Sequence, residues 1–181
     1  TVQEFLQYYM GDVIGSPYVL AGVGKVAETA EEAVSVFMPA LLFGAIVTTL
    51  VAGMLSDRYG RKVMVYLSGA LMGLVALVFV VFHSFTLAVL MGVIFGLGYG
   101  AYESVDWALA SDILPSMDDY AKDMGVWHVA MVLPQVIATP IAGSLLDNFQ
   151  RVGKAQSIPN LGYTVIFLVA VVYFALGTVF V

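Results

Sequence analysis

The charged cluster Asp57-Arg58-Tyr59-Gly60-Arg61-Lys62 stands between two stretches, 36–55 and 63–82, that hold no Asp, Glu, Lys or Arg. Each stretch is about 20 residues. At ~1.5 Å per residue each makes a helix roughly 30 Å long, the thickness of a bilayer's hydrocarbon core. Two membrane helices joined by a tight turn, with one carboxylate and three cations in it, is the arrangement this pattern dictates.

Composition points the same way. Hydrophobic residues make up 61% of the 181 and the mean hydropathy is +0.94, against roughly 45–50% apolar in soluble domains. The chain is therefore read as an all-α integral membrane protein. With no Cys, there is no disulfide framework, thiolate chemistry or Cys-based metal site. The net charge of −6 argues against a nucleic-acid partner, which needs a basic face. The chain opens on Thr1 without a signal-peptide n-region or cleavage site, and is read as a piece of a longer protein.

Hydropathy predicts five full spans plus a partial one. Residues 1–19 are too short and polar for a span and read as a helix end. Residues 20–35, with Lys25, Glu28, Glu31 and Glu32, read as a loop with a short surface helix. Spans are predicted over 36–55, 63–82, 87–110, 124–146 and 163–181. The positive-inside rule places Arg58, Arg61 and Lys62, and hence the 56–62 turn, in the cytoplasm. Alternation then puts the 111–123 loop inside as well, and 83–86 and 147–162 outside.

Several polar groups sit where hydrocarbon is expected. Glu103 and Asp106 are three residues apart and share one helix face. An intramembrane carboxylate costs roughly 2.5–3.5 kcal/mol on insertion scales, so each needs a partner. Arg58 and Arg61, near the same membrane face, are the expected partners, and Glu103, the deeper of the two, is the candidate for proton coupling. Gln135 lies mid-span beside Pro134, whose missing N–H frees a backbone carbonyl. Gln135, Tyr99 and Tyr102 are candidate contacts for a polar solute, against the plainer reading as helix–helix glue and packing. Gly92, Gly96 and Gly100 form a small-residue row that permits close helix contact, and Gly69 and Gly73 repeat it once. Trp107 and Trp127 read as interfacial anchors. No catalytic motif of the G-x-S-x-G, H-E-x-x-H or P-loop type is present. With two His and no Cys, neither enzyme activity, metal nor cofactor is expected.

The run Gly53-x-Leu55-x-Asp57-Arg58-x-Gly60-Arg61-Lys62 between two spans resembles the loop signature of the major facilitator superfamily, with every fixed position filled. Gly98-Tyr99-Gly100-Ala101-Tyr102-Glu103, Ile113-Leu114-Pro115, Ala121-Lys122-Asp123-Met124-Gly125 and Leu133-Pro134-Gln135 resemble helices 10 and 11 of its sucrose/sugar–proton symporter branch. Phe5-Leu6-Gln7-Tyr8-Tyr9 resembles the outer end of helix 7. The resemblance implies the C-terminal half of a twelve-helix bundle: 1–19 the end of helix 7, 36–55 helix 8, 63–82 helix 9, 87–110 helix 10, 124–146 helix 11 and 163–181 helix 12. An N-terminal half starting late in helix 1 is the other placement. In such a protein Gly53, Asp57, Arg58, Gly60, Arg61 and Lys62, with Asp106, would form a cytoplasmic gate. Tyr8 and Tyr9 would belong to the outer gate or contact solute, with membrane-interface aromatics the plainer reading. The implied function is secondary active transport of a small sugar-like solute, proton-coupled in that branch, by alternating access. The implied partners are membrane lipid, an N-terminal six-helix half and the solute, in a plasma or inner membrane. The alternative is a transporter-derived structural subunit without transport activity.

Overall fold

Helix termini set the architecture. The computed structural model describes residues 2–113 and 120–179. A short helix α1 (Val2–Tyr9) continues as a π-helical turn, Met10–Ile14, and stops at Gly15, which takes φ 72°. Strands β1 (Tyr18–Leu20) and β2 (Gly24–Ala27) form an antiparallel hairpin, with Val19 opposite Lys25 and Leu20 opposite Gly24. Then come α2 (Ala30–Tyr59), α3 (Arg61–Val81), α4 (Phe85–Ile113), α5 (Tyr120–Gln156) and α6 (Leu161–Val179). Among the described residues, α2 to α6 are the five helices long and apolar enough to cross a bilayer.

The boundaries depart from the hydropathy reading in five places, most of them for a local reason. The 20–35 segment is not a loop with a surface helix. Gly22 and Gly24, at φ 85° and 98°, turn the chain back on itself as a hairpin, a backbone that side chains rarely adopt. Helix α2 starts at residue 30, not 36, because Thr29 and Glu32 cap its first turn. The Thr29 hydroxyl accepts from the Glu32 N–H at 3.2 Å, and the Glu32 carboxylate accepts from the Glu28 N–H at 2.8 Å. The polar turn shrinks to one residue: Gly60, at φ 89°, is both the end of α2 and the start of α3. Finally, the expected 147–162 connection is helical as far as Gln156. Its polar residues are compatible with a helix. Ser157 and Asn160, at φ 56° and 57°, end it on either side of Ile158 and Pro159. The 111–123 loop likewise narrows, since 111–113 belong to α4 and 120–123 to α5. Pro115, Asp118 and Asp119 lie outside the described residues, as do 180 and 181 of the last predicted span.

Helices α2 and α4 run parallel, with their backbones in contact. A Cβ on Gly96 would lie 2.0 Å from the Leu41 carbonyl oxygen, one on Gly100 2.2 Å from that of Ala45, and one on Gly44 2.2 Å from that of Val93. The ring of Phe37 covers Gly92. Phe37 with Gly92, Leu41 with Gly96 and Ala45 with Gly100 keep one register through three turns. Helices α3 and α6 pack antiparallel, Gly69 against Thr178 and Phe174. Where the hairpin sits, called here the hairpin end, a buried aromatic cluster joins α1, α3 and α6: the Tyr9 ring lies 5.6 Å from Phe79 and 5.0 Å from Phe167. The opposite, turn end carries the α2–α3 junction.

The glycine contacts predict a sharp asymmetry. Gly96→Ala forces α2 and α4 apart and should cost ~1–3 kcal/mol, lowering the thermal midpoint in detergent. Gly125→Ala, with nothing within 4 Å of the added methyl, should be neutral or gain about 0.5–1 kcal/mol.

Candidate functional site

Tyr99, Tyr102, Glu103 and Asp106 recur at i, i+3, i+4 and i+7 on α4, so they occupy one face. At this level α4 meets α2 through Gly100 and Ser104, and α3 through Gly98 and Val105. The four polar side chains point away from both contacts and are half-buried. Tyr99 and Glu103, one turn apart, interact through their side chains, and the charges of Glu103 and Asp106 act on each other. The Asp106 Oδ2 atom is out of solvent and has no hydrogen-bond donor among the described residues. An unsatisfied carboxylate oxygen is costly, so this face is incomplete as it stands.

The helix continues further past these carboxylates than the hydropathy reading placed its end. Because α4 runs on to Ile113, Asp106 lies ~10 Å and Glu103 ~15 Å from the helix end, at 1.5 Å per residue. The expected ion pairs with Arg58 and Arg61 are not formed: among the described residues the ion pair is Lys25–Glu28. The α2–α4 register gives the reason. Extended at the spacing of Leu41 and Gly96, it sets Arg58 level with Ile113, ~10 Å along the axis from Asp106. Arg58 instead lies over the ring of its neighbour Tyr59, 5.7 Å from the centroid. Arg61 is half-buried and engaged.

Of the four turn charges, Asp57, Arg61 and Lys62 oppose their own helix dipoles, and Arg58, in the last turn of α2, favours its own. Asp57 falls in the last turn of α2, and Arg61 and Lys62 in the first turn of α3. A carboxylate at a C-terminus and cations at an N-terminus are each unfavourable by some tenths of a kcal/mol. Helix stability therefore does not explain this cluster. A Cβ on Gly53 would lie 3.7 Å from the Ser104 hydroxyl, and Gly60 occupies the positive-φ junction.

The remaining candidates separate. Gln135 is exposed on α5, beside a long apolar face that includes Val129, Val132, Leu133 and Val136. No described hydrogen bond or ring contact joins it to the α4 polar face. The Thr139 hydroxyl donates to the Gln135 carbonyl at 3.0 Å. Tyr8 and Tyr9 do not act as a pair, because adjacent helical residues diverge by about 100°. Tyr8 is 62% exposed and Tyr9 is 1% exposed. The Tyr9 hydroxyl donates at 3.0 Å to the Phe79 carbonyl, near the C-terminus of α3, where helix carbonyls lack an intrahelical partner. Tyr9 is thus a core residue and not a solute contact. The rings of Trp107 and Trp127 meet at a tilt of 59° with centroids 4.8 Å apart, a contact between α4 and α5.

Sequence reasoning missed two contacts that position the site. The Thr86 hydroxyl donates to the Val19 carbonyl and accepts from the Ala21 N–H, both at 3.0 Å, fastening the hairpin to the start of α4. The Tyr163 hydroxyl donates to the Asp12 carboxylate, tying the π-helical turn to α6. Both are long-range pairs with no local signal. The Thr-x-x-Glu pattern at Thr29 is, by contrast, a local signal legible in the sequence.

Comparisons with known proteins place these features. Residues 5–181 match the Major Facilitator Superfamily. The chain is 30% identical over 133 residues to "Efflux pump DEP3" of Alternaria brassicicola, covering 70% of this chain and 23% of that protein. It is 35% identical over 75 residues to "Solute carrier family 2, facilitated glucose transporter member 12" of Mus musculus, covering 41% of this chain and 12% of that protein. The chain thus spans less than a quarter of the length of either relative. No solved structure matches it significantly.

Tyr9→Phe should cost ~1–3 kcal/mol, the price of leaving the buried Phe79 carbonyl unbonded. Thermal unfolding should show the loss. Solute affinity should stay unchanged, because the ring faces the core.

Proposed function

This chain belongs to the Major Facilitator Superfamily, and from that premise we propose that it is the C-terminal six-helix half of a twelve-helix secondary transporter. The proposed cargo is a small sugar-like solute moved by alternating access, with protons coupled through Glu103. The observation that carries this reading is the α4 face of Tyr99, Tyr102, Glu103 and Asp106, half-buried and turned away from α2 and α3. A polar face in a membrane helix is supported by protein or lines a water-filled cavity. Here the second wall is assigned to the N-terminal half, which would also cover the exposed apolar face of α5 and bring Gln135 to the cavity. Rocking of the two halves about a midplane site follows the general scheme for such folds.

Roles follow from position. Tyr99 and Tyr102 offer aromatic faces and hydroxyls to a sugar ring. Glu103, deeper than Asp106, exchanges the proton. Asp106 and the turn residues Gly53, Asp57, Arg58, Gly60, Arg61 and Lys62 latch the cytoplasmic side in the inward-closed state. Asp106 Oδ2, unbonded here, gains its donor in that state. A sugar is favoured by the similarity to a protein named as a glucose transporter, and both relatives are named as transport proteins, which weighs against a non-transporting subunit.

Uptake of labelled hexose into vesicles containing the whole protein tests this. Acidifying the outside should raise uptake, and Glu103→Gln should flatten the pH profile. A pH profile unchanged by Glu103→Gln removes the coupling role, and absence of hexose uptake or counterflow removes the sugar. Asp57→Asn should slow turnover about tenfold, or ~1.4 kcal/mol, at near-normal expression; unaltered turnover would sink the gating role.

A further inference from the structure

The outer faces of α3 and α6 enclose a groove of about 680 Å³, lined by Tyr66, Ala70, Gly73, Leu74, Val171 and Phe174 among others. That volume is in the range of ligand sites, roughly 300–1,000 Å³. We propose that this groove holds one acyl chain of an anionic phospholipid whose headgroup is bound by Lys62. The inference does not depend on which solute is carried.

Three observations select that occupant. First, the groove lies between two membrane-spanning helices and its lining is apolar. The Thr178 hydroxyl is already spent on the Ala175 carbonyl at 2.6 Å, so no lining hydroxyl of α6 awaits a protein partner. Second, the glycines that would let a second copy approach closely are used within the chain. Gly69 and Gly73 are buried against Thr178 and Phe174. What stays open is the shallow channel beside them, over exposed Ala70 and Leu74. Third, the charge at the groove's end fits. Lys62, Tyr66, Ala70, Gly73 and Leu77 recur along one stripe of α3. Lys62 is exposed one turn before Tyr66, and no described carboxylate lies within ion-pair distance of it. A lysine at the end of a membrane helix extends toward the headgroups, and basic sites between membrane helices suit anionic headgroups. Tyr66 sits between the two parts, with its ring toward the acyl chain and its hydroxyl toward the headgroup.

Native mass spectrometry of the purified full chain with phosphatidylglycerol or phosphatidylcholine of identical acyl chains provides the test. Wild type should retain one phosphatidylglycerol in preference to phosphatidylcholine. Lys62→Gln should cut that preference about fivefold, the ~1 kcal/mol that one lysine near an anionic surface contributes. Ala70→Leu should abolish retention of both lipids by filling the groove. If Ala70→Leu is not monodisperse, Leu77→Trp serves in its place. Equal retention of the two lipids by wild type, a preference unmoved by Lys62→Gln, or retention that survives filling of the groove would each overturn the proposal. A dimer that disappears with Ala70→Leu would overturn it too, making the occupant a second copy.

Discussion

The contact between the α2 and α4 backbones is the constraint on which the rest depends. In lipid the solvent is as apolar as the side chains, so burial supplies little force to hold helices together, and close van der Waals packing must do it. Glycine at 44, 96 and 100 lets carbonyl oxygens of one helix occupy the space where the other would carry a Cβ. The same contact sets the register that leaves Arg58 too far along the axis to reach Asp106. It also turns the Tyr99–Asp106 face outward, because the opposite side of α4 is committed to α2 and α3. One row of small residues thereby decides where the polar face points and which charges are kept apart.

Much of this was legible in the sequence because membranes simplify the code. Charge-free runs of helix length announced the spans, and the i, i+3, i+4, i+7 spacing of Tyr99, Tyr102, Glu103 and Asp106 announced a shared face. The G-x-x-x-G-x-x-x-G row foretold a close contact without naming α2 as its partner. What hydropathy misread were helix ends. Helices here run past the apolar core at Thr29 and at Gln156, and those boundaries obey capping and φ preferences that hydropathy averages away. Tyr9 shows the other limit. Nothing at positions 8 and 9 says which tyrosine turns inward, because the decision belongs to Phe79 and Phe167, far off in sequence.

The charged turn shows a related division between stability and use. Two of its cations, Arg61 and Lys62, lie at a helix N-terminus and its carboxylate at a helix C-terminus, against the dipoles, while Arg58 lies with its own. Gly60 absorbs the whole reversal in one residue, so α2 and α3 leave the membrane surface with almost no slack between them. A hairpin this tight carries its charges at a fixed height relative to both helices.

The fastening of the β-hairpin to Thr86 bears on motion. Two hydrogen bonds to one hydroxyl hold the first turn of α4, and an axial slip of even one residue, ~1.5 Å, would strain both. The start of α4 is therefore an anchored point. Because α2 packs along α4 as far as Gly100, the two helices are held together over this length and the hairpin fixes the axial position of the pair. The hairpin is in this sense a clasp on the α2–α4 pair.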